Sequence, residues 1–85
     1  MRWRAIPSRE LSWHRLESAL VLRNERTGST HLLEPPAGEV FRALLQAAAW
    51  MTAEDVARAS DEALAIVADV LPELVRLGLA EVQSP

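Results

Sequence analysis

The chain has 85 residues, of which 49% are hydrophobic and 25% are charged, with a net charge of −3. This balance predicts one folded domain, and the absence of Cys excludes disulfide bonds, thiolate catalysis and Cys-ligated zinc. No apolar run approaches the length that spans a bilayer and no signal peptide is recognisable, so we expect a cytoplasmic protein without a membrane partner.

The charges are unevenly distributed along the chain. Residues 1–34 carry six Arg and four acidic residues, whereas residues 35–85 carry three Arg and eight acidic residues. The first part therefore has a net charge of +2 and the second a net charge of −5, which sum to −3.

The first third of the chain has the pattern of a β-sheet. Leu11–Leu16 alternates apolar and polar residues, and Ala19–Arg23 is rich in residues that favour strands. Asn24–Ser29 then predicts a hairpin loop, in which Gly28 supplies a positive φ, and Thr30–Leu33 pairs back as the next strand.

Two further residues near the start of the chain are apolar but leave their role open. Trp3 and Ile6 either form a short leading strand or lie across the core, and Pro7 favours extended backbone just before it.

The period becomes helical after Pro35 and Pro36, the second of which suits a first helical turn. One stripe of this first helix is apolar and contains Val40, Phe41, Leu44, Leu45 and Ala48. Such a stripe predicts that the helix packs one face against the core.

Two more helices are predicted from their end signals. Thr52 is a good N-cap with Asp55 three residues later, and this short helix is expected to end near Ala59. We predict that Ser60 or Asp61 then caps a third helix, which runs to Leu77 and stops at Gly78.

Leu79–Val82 predicts a final strand. The resulting fold class is α+β, with a three-stranded antiparallel sheet followed by a three-helix winged helix-turn-helix. One domain is expected, with strands in about residues 1–34, helices in about 36–77 and the terminal strand in about 79–82.

The third predicted helix is apolar over a wider arc than packing requires. Its apolar arc spans roughly 200°, whereas a surface helix needs roughly 100°, and Pro72 falls on the opposite, solvent side. We assign to the contact with the other helices Leu64, Val67, Leu71 and Leu74.

Ile66 and Val70 lie to one flank of that contact. Either the sheet covers this flank completely, or the flank lines a groove beside an open strand edge. In the second case an extended peptide can add as a strand, with main-chain hydrogen bonds for affinity and side-chain contacts for specificity.

Catalytic and metal-binding motifs are not recognisable in the sequence. The two imidazoles, His14 and His31, fall on predicted strands, and we expect both to be partly buried structural residues. No nucleophile elbow, phosphate-binding glycine loop or two-His motif is present. We therefore expect no enzyme, no metal and no cofactor.

Nucleic-acid binding is disfavoured by the charges of the third helix, although winged helices often bind DNA. The helix and its start carry several acidic residues against Arg76 alone, namely Asp61, Glu62, Asp69 and Glu73. Such a helix would be repelled by phosphates. A winged-helix regulator and a structural homodimeric module remain the alternatives to a peptide-binding protein.

Several stretches of the chain together resemble the PqqD-like family, and within it the branch of PqqD-like peptide chaperones of the HPr-related gene system. The resemblance covers nearly the whole chain and is carried most by Gly28–Leu33 and Leu71–Glu81. It also includes Trp13, Leu20–Leu22, Phe41, Leu44–Leu45 and Thr52–Asp55. One position departs, because Glu34 stands where relatives often have Asn or another small polar residue.

The resemblance implies a non-catalytic adaptor that recognises a precursor peptide. The leader of a ribosomally made peptide would add to the third strand, lie against the third helix and be presented to a modifying enzyme, often of the radical-SAM class. The peptide-binding residues that it implies are Ser29, Thr30, His31, Leu32, Leu33, Ala63, Ile66, Val67 and Val70. The adaptor itself would be a monomer or a homodimer.

Overall fold

The computed structural model describes residues 1–84. Along the chain the elements are β1 (Arg2–Ala5), a 3₁₀ turn (Ser8–Glu10), β2 (Leu11–Leu16), β3 (Ala19–Asn24), β4 (Thr30–Leu33), α1 (Ala37–Ala47), α2 (Ala53–Ser60), α3 (Leu64–Arg76) and β5 (Ala80–Gln83). The prediction of an α+β protein with a three-stranded antiparallel sheet and three helices is confirmed.

The three-stranded sheet has the order β2-β3-β4. A two-residue turn with Glu17 at a φ of 58° joins β2 to β3, and the loop from β3 to β4 places Gly28 at a φ of 77°. The bounds predicted for β2 and β4 are confirmed, and β3 runs one residue further than predicted, to Asn24.

A second sheet joins the two ends of the chain. β1 pairs antiparallel with β5, with Trp3 opposite Val82, and Trp3 also exchanges backbone hydrogen bonds of 2.8 Å with Met51 in the α1–α2 connection. Trp3 therefore belongs to a leading strand, while Ile6 is partly buried against the core beyond the strand end. The terminal strand begins at Ala80, one residue later than predicted.

The starts of the first two helices follow their local chemistry. Pro36 is the N-cap residue of α1 and precedes its first turn. Thr52 caps α2 as predicted, because its hydroxyl accepts the Asp55 N–H while the Asp55 carboxylate accepts the Thr52 N–H, at 3.1 and 3.2 Å.

The predicted start of the third helix is wrong. Ser60 is the last residue of α2, and Asp61 follows it in the left-handed region with a φ of 58°. The chain is extended again at Ala63, so α3 begins at Leu64 with no side-chain cap. The helix ends at Arg76, one residue earlier than predicted, and the predicted stop at Gly78 is confirmed. Gly78 has a φ of 78°, and the N–H groups of Gly78 and Leu79 donate to the carbonyls of Val75 and Leu74, which is a Schellman motif.

The core lies between the three-stranded sheet and the helices. It is built from fully or nearly fully buried side chains, which include Leu20, Leu22, Leu33, Val40, Phe41, Leu44, Val56, Val67, Leu71, Leu74 and Leu79. Burial of one such side chain contributes about 1.5–3 kcal/mol to folding.

Leu64 was expected in this core and is instead 46% exposed, since it occupies the first position of α3, beyond the reach of its neighbours.

None of the helices formed by residues 1–84 is both long and apolar enough to cross a membrane.

Candidate functional site

The outer edge of β4 is open. Within residues 1–84, β4 pairs with β3 alone, and no strand lies along its other side. Most natural sheets cover or shorten such edges, because exposed N–H and C=O groups invite pairing with another chain. The edge is therefore the first candidate for a site.

The backbone groups that face this edge follow from the hydrogen-bond alternation of an antiparallel pair. The Asn24 N–H donates to the Ser29 carbonyl at 2.9 Å, and in the same register His31 and Leu33 form the next bonded pairs with β3. Thr30 and Leu32 occupy the intervening non-bonded positions. Their N–H and C=O groups are thus directed away from β3, towards solvent.

The side chains of β4 alternate between the two faces of the sheet. Leu33 is buried and His31 partly buried on the core side, whereas Leu32 lies on the outer side beside Val21 and is 56% exposed. The open edge therefore combines free backbone groups with an exposed apolar side chain.

Ser29 and His31 are connected by a short chain of hydrogen bonds at the start of β4. The His31 Nε2 lies 3.2 Å from the Ser29 Oγ, which lies 2.8 Å from the Thr27 hydroxyl. No carboxylate is hydrogen-bonded to His31 in the described part of the chain. The arrangement fixes the loop ahead of β4.

The structure places the predicted residues of α3 in three different environments. Ile66 is 38% exposed, Val70 is partly buried against the core, and Val67 is fully buried, so its side chain is not available at the surface. Ala63 is exposed but precedes the helix as its N-cap residue. Because Ile66 is exposed, the sheet does not cover this flank completely.

Two contacts show how α3 is oriented relative to the two sheets. The Asn24 Nδ2 donates to the Gly78 carbonyl at 3.2 Å, which joins the end of α3 to the end of β3. Val75 lines an apolar recess of about 190 Å³ together with Trp3 and Val82 of the β1–β5 sheet. Ile66 is nine residues from Val75 and so lies on the opposite side of the helix, away from β1 and β5.

Three cavities can be described, and none of them is lined by the predicted peptide-binding residues. The apolar recess is lined by Met1, Trp3, Pro72, Val75 and Val82. A cavity of about 270 Å³ lies between Arg4–Ser8 and the end of α1, and one of about 410 Å³ lies beside Met1, Arg2, Thr52, Gln83 and Ser84.

The sheet has a second open edge, which sequence reasoning did not consider. In residues 1–84, β2 pairs with β3 alone, and the Glu25 N–H bonds the Glu10 carbonyl at 2.8 Å in the same register. By the same alternation, Trp13 and Arg15 direct their backbone groups outwards. This edge could have been predicted from the sequence, because the first and last strands of an antiparallel meander are always its edges.

One expectation about the imidazoles is corrected at this edge. His14, expected to be partly buried, is exposed because most of β2 extends beyond the helices that cover the sheet.

Each of the two edges has charged residues near it that form no ion pair within residues 1–84. Near β4, Arg23 is paired with Glu25 at 2.7 Å, whereas Glu34, which directly follows the strand, is exposed and forms no ion pair with any residue of the described chain. On α3, Asp69 is also exposed and forms no ion pair within residues 1–84. Glu73 is neutralised by Arg76, whose hydrogen bond lowers the pKa of that carboxyl. Near β2, Arg15 and Glu17 are both exposed, and neither forms an ion pair among residues 1–84.

Comparisons of the chain with protein-family models, with curated proteins and with solved structures found no match.

Proposed function

We propose that the chain is a non-catalytic adaptor that binds an extended peptide as an added strand on β4 and presents it to a modifying enzyme. The observation that carries the proposal is the open edge of β4, at which Thr30 and Leu32 offer backbone groups beside an exposed leucine side chain. The leader of a ribosomally made precursor is the peptide class that the PqqD-like residue pattern favours, and a radical-SAM protein is one candidate for the enzyme.

A winged helix-turn-helix arrangement is part of this proposal. Its support is the element order, in which residues 48–52, including the β-bridge residue Met51, connect α1 to α2, and β5 is the next element after α3. In this arrangement β1 takes the place of a wing strand beside β5.

The free energy of adding a strand shows that the site must also offer contacts other than main-chain hydrogen bonds. Two residues with outward backbone groups offer at most four main-chain hydrogen bonds, worth about 0.5–1.5 kcal/mol each. Together they contribute about 2–6 kcal/mol, whereas association alone costs about 4–15 kcal/mol, so the hydrogen bonds offset at most the lower part of that cost. Apolar contacts of the guest with Leu32 and Ile66 must contribute the remainder, which explains why both are exposed.

Proline substitution at one edge, with the other edge as control, tests the proposal. Peptides would be selected from a displayed random library on the wild-type chain and then measured by fluorescence polarisation. Leu32→Pro removes an outward N–H without removing a bond to β3, so we expect at least tenfold weaker binding and a nearly unchanged melting temperature. Arg15→Pro makes the same change on β2 and should bind normally.

The selection itself can refute the proposal. The proposal is wrong if every selected peptide binds Leu32→Pro as tightly as the wild type, or if Leu32→Pro and Arg15→Pro weaken binding equally.

The helix side of the site has its own matched pair of variants. Ile66→Glu and Leu64→Glu each introduce a carboxylate at an exposed position of α3, on different sides of the helix. We expect only Ile66→Glu to weaken binding. Val70 is a poorer choice, because its partial burial means that Val70→Glu also destabilises the fold.

A structural homodimer is the second candidate function, and the β2 edge favours it. Trp13 and Leu16 of this strand are both about half exposed, at 48% and 56%. Two copies related by a two-fold axis could join their β2 strands into one sheet. Light scattering would then show a dimer that Arg15→Pro converts to a monomer.

If the chain is instead a winged-helix regulator, the expected result differs from those of the peptide adaptor and of the homodimer. It requires salt-dependent binding to a DNA duplex, which a gel-shift series at low ionic strength would detect. Asp69 on α3, which is exposed and forms no ion pair within residues 1–84, argues against it because it would repel phosphates.

A further inference from the structure

We infer that β5 is an interface between two copies of this chain, which join by antiparallel pairing of β5 with β5 about a two-fold axis at Val82. The inference goes beyond the peptide site proposed on β4, because it concerns the other sheet of the molecule. It depends on the open edge of β5, on the apolar surface beside that edge and on the charges along it.

The outer edge of β5 is open, because within residues 1–84 this strand pairs with β1 alone. The Ile6 N–H donates to the Leu79 carbonyl at 3.1 Å, which fixes the alternation of bonded and non-bonded pairs along the two strands. In this register Trp3 and Val82 form a non-bonded pair. The N–H and C=O of Val82 are therefore directed away from β1, towards the open edge.

The hydrogen bonds of Trp3 agree with this alternation. Its N–H and C=O are bonded to Met51 at 2.8 Å, on the side of β1 that faces away from β5. Val82 has no counterpart to Met51 among the described residues, and its side chain is 41% exposed. The backbone groups of Val82 are therefore available to a second strand.

An apolar surface accompanies this edge. Val82 lies opposite Trp3, and both line the apolar recess of about 190 Å³ together with Pro72 and Val75 of α3. The two-fold axis of an antiparallel pair is perpendicular to the sheet, so both copies present this face on the same side. The row formed by Trp3 and Val82 would then continue through Val82 and Trp3 of the second copy, which buries apolar surface that the single chain exposes.

The register about Val82 places no like charges opposite one another. Glu81 is the one charged residue of β5, and Arg4 on β1 neutralises it at 2.8 Å. In the symmetric pair Glu81 lies opposite Gln83 of the second copy, whose amide can donate to the carboxylate. Arg2 has no ion pair within residues 1–84, but it lies on β1 and is separated from the second copy by β5.

The other two open edges differ from β5 in their charges. Arg15 lies on β2 and Glu34 directly follows β4, and neither forms an ion pair within residues 1–84. Charged side chains of this kind are a usual means of protecting an edge strand from pairing. A second copy can therefore approach β5 without meeting an unpaired charge on the strand itself.

Sedimentation velocity measures the expected association. Two main-chain hydrogen bonds at Val82 and a small apolar area predict a weak dimer, as small interfaces usually give. We expect the wild-type chain to be mostly monomeric at about 10 μM and to contain a substantial fraction of dimer at about 1 mM. A chain that stays monomeric at the higher concentration would overturn the inference.

Charges introduced at position 82 test the two-fold register. Because Val82 lies opposite its own copy, Val82→Glu places two carboxylates side by side and Val82→Lys two ammonium groups. Each variant should dimerise at least about tenfold more weakly than the wild type, through like-charge repulsion and loss of the valine contact.

An equimolar mixture of these two variants should restore association, because opposite charges then meet across the axis. Formation of this heterodimer also shows that both variants are folded. The inference is wrong if both variants dimerise as the wild type does, or if the mixture associates no better than either variant alone.

Proline variants distinguish β5 from the other edges. Val82→Pro removes an outward N–H without removing a bond to β1, so it should abolish the dimer and leave the melting temperature nearly unchanged. Leu32→Pro on β4 and Arg15→Pro on β2 should leave the dimer intact. A dimer that Arg15→Pro disrupts and Val82→Pro preserves would place the interface on β2 and contradict the inference.

A peptide is the alternative guest of this edge, and the same variants identify it. Peptides selected on the wild-type chain should bind Val82→Pro as tightly as the wild type, at a concentration at which the chain is monomeric. If Val82→Pro weakens their binding instead, β5 accepts a peptide and the inference of a second copy is wrong. The proposed function is decided separately, by the effect of Leu32→Pro on the same peptides.

Discussion

The side-chain amide of Asn24 donates a hydrogen bond to the backbone carbonyl of Gly78, with Nδ2 and the oxygen 3.2 Å apart. The same side chain accepts the N–H groups of Arg26 and Thr27 through its Oδ1, at 3.0 and 3.3 Å. One buried residue therefore shapes the loop that leads into β4 and attaches it to the end of α3. Asn24 is the connection between the two elements on which the proposed site depends.

We expect Asn24→Ala to lower the free energy of unfolding by about 1–3 kcal/mol, because it leaves the Gly78 carbonyl and two loop amides without their partner. Urea denaturation followed by tryptophan fluorescence measures the change. A loss below about 0.5 kcal/mol would mean that water replaces the amide at little cost.

Asn24→Asp separates the two roles of this side chain. The carboxylate still accepts the loop N–H groups, but it faces the Gly78 carbonyl without a proton to donate. The variant should be less stable than the wild type at pH 7, and the difference should narrow below about pH 4, where the carboxyl is protonated. A difference that does not change with pH would contradict this division of roles.

Gly78→Ala should destabilise the protein through the backbone alone. Gly78 has a φ of 78°, while a Cβ added there meets nothing nearer than the Asn24 Nδ2 at 3.8 Å. The expected cost is about 1–2 kcal/mol, the penalty for a non-glycine residue in the left-handed region. Gly78→Asn should cost less, because Asn tolerates that conformation. Equal stability of Gly78→Ala and the wild type in thermal unfolding would refute the strain argument.

The local features of this fold were predictable because their causes are local. Alternation predicts β2, strand-favouring residues predict β3, and the hairpin loop predicts β4. The residues of the capping box predict the start of α2, and Gly78 predicts the stop after α3. Each of these signals involves residues close together in the chain, whose spacing is visible in the sequence.

The features that were missed depend on contacts between distant residues. The pairing of β1 with β5 joins Trp3 to Val82, and no local pattern in either segment identifies the other as its partner. The prediction of where α3 starts was wrong for a different reason. Asp61 has the chemistry of an N-cap but ends α2 in the left-handed region, and Ala63, which begins α3, gives no capping signal.

The candidate site was predictable only in part. The strand Thr30–Leu33 was identified from its sequence, but the sequence period could not distinguish exposed Ile66 from buried Val67 at neighbouring positions of a wide apolar arc. Exposure there depends on which side of α3 the sheet and the other helices occupy, and that is a property of the assembled fold.

Removing the cap of α2 should destabilise that helix in a pH-dependent manner. Thr52→Ala loses the hydroxyl that accepts the Asp55 N–H, at an expected cost of about 1 kcal/mol. In the wild type, hydrogen bonds from the Thr52 backbone N–H and hydroxyl, with the Arg58 charge, hold the pKa of the Asp55 carboxyl below its usual value.

Because folding lowers this pKa, the stabilisation from charged Asp55 is complete above its usual value of about 3.9 and is lost as the pH falls through the lower, folded value. The stability difference between the wild type and Asp55→Asn should therefore be largest near neutral pH and shrink below about pH 4. Denaturation midpoints at several pH values provide the test, and a difference that grows on acidification would be inconsistent with it.

Pro72→Ala should stabilise the protein. Pro72 is exposed inside α3 and has no N–H to donate to the carbonyl of Ala68, one turn earlier. Alanine restores that hydrogen bond, and the gain, at most about 3 kcal/mol, is partly offset because proline also restricts the unfolded chain by about 0.4–1 kcal/mol. We expect a net increase of about 1–2 kcal/mol in the free energy of unfolding, with a new amide at position 72 that is protected from hydrogen exchange. A variant that is no more stable than the wild type would show that contacts of the proline ring with Val75 and Val82 in the apolar recess outweigh the missing hydrogen bond.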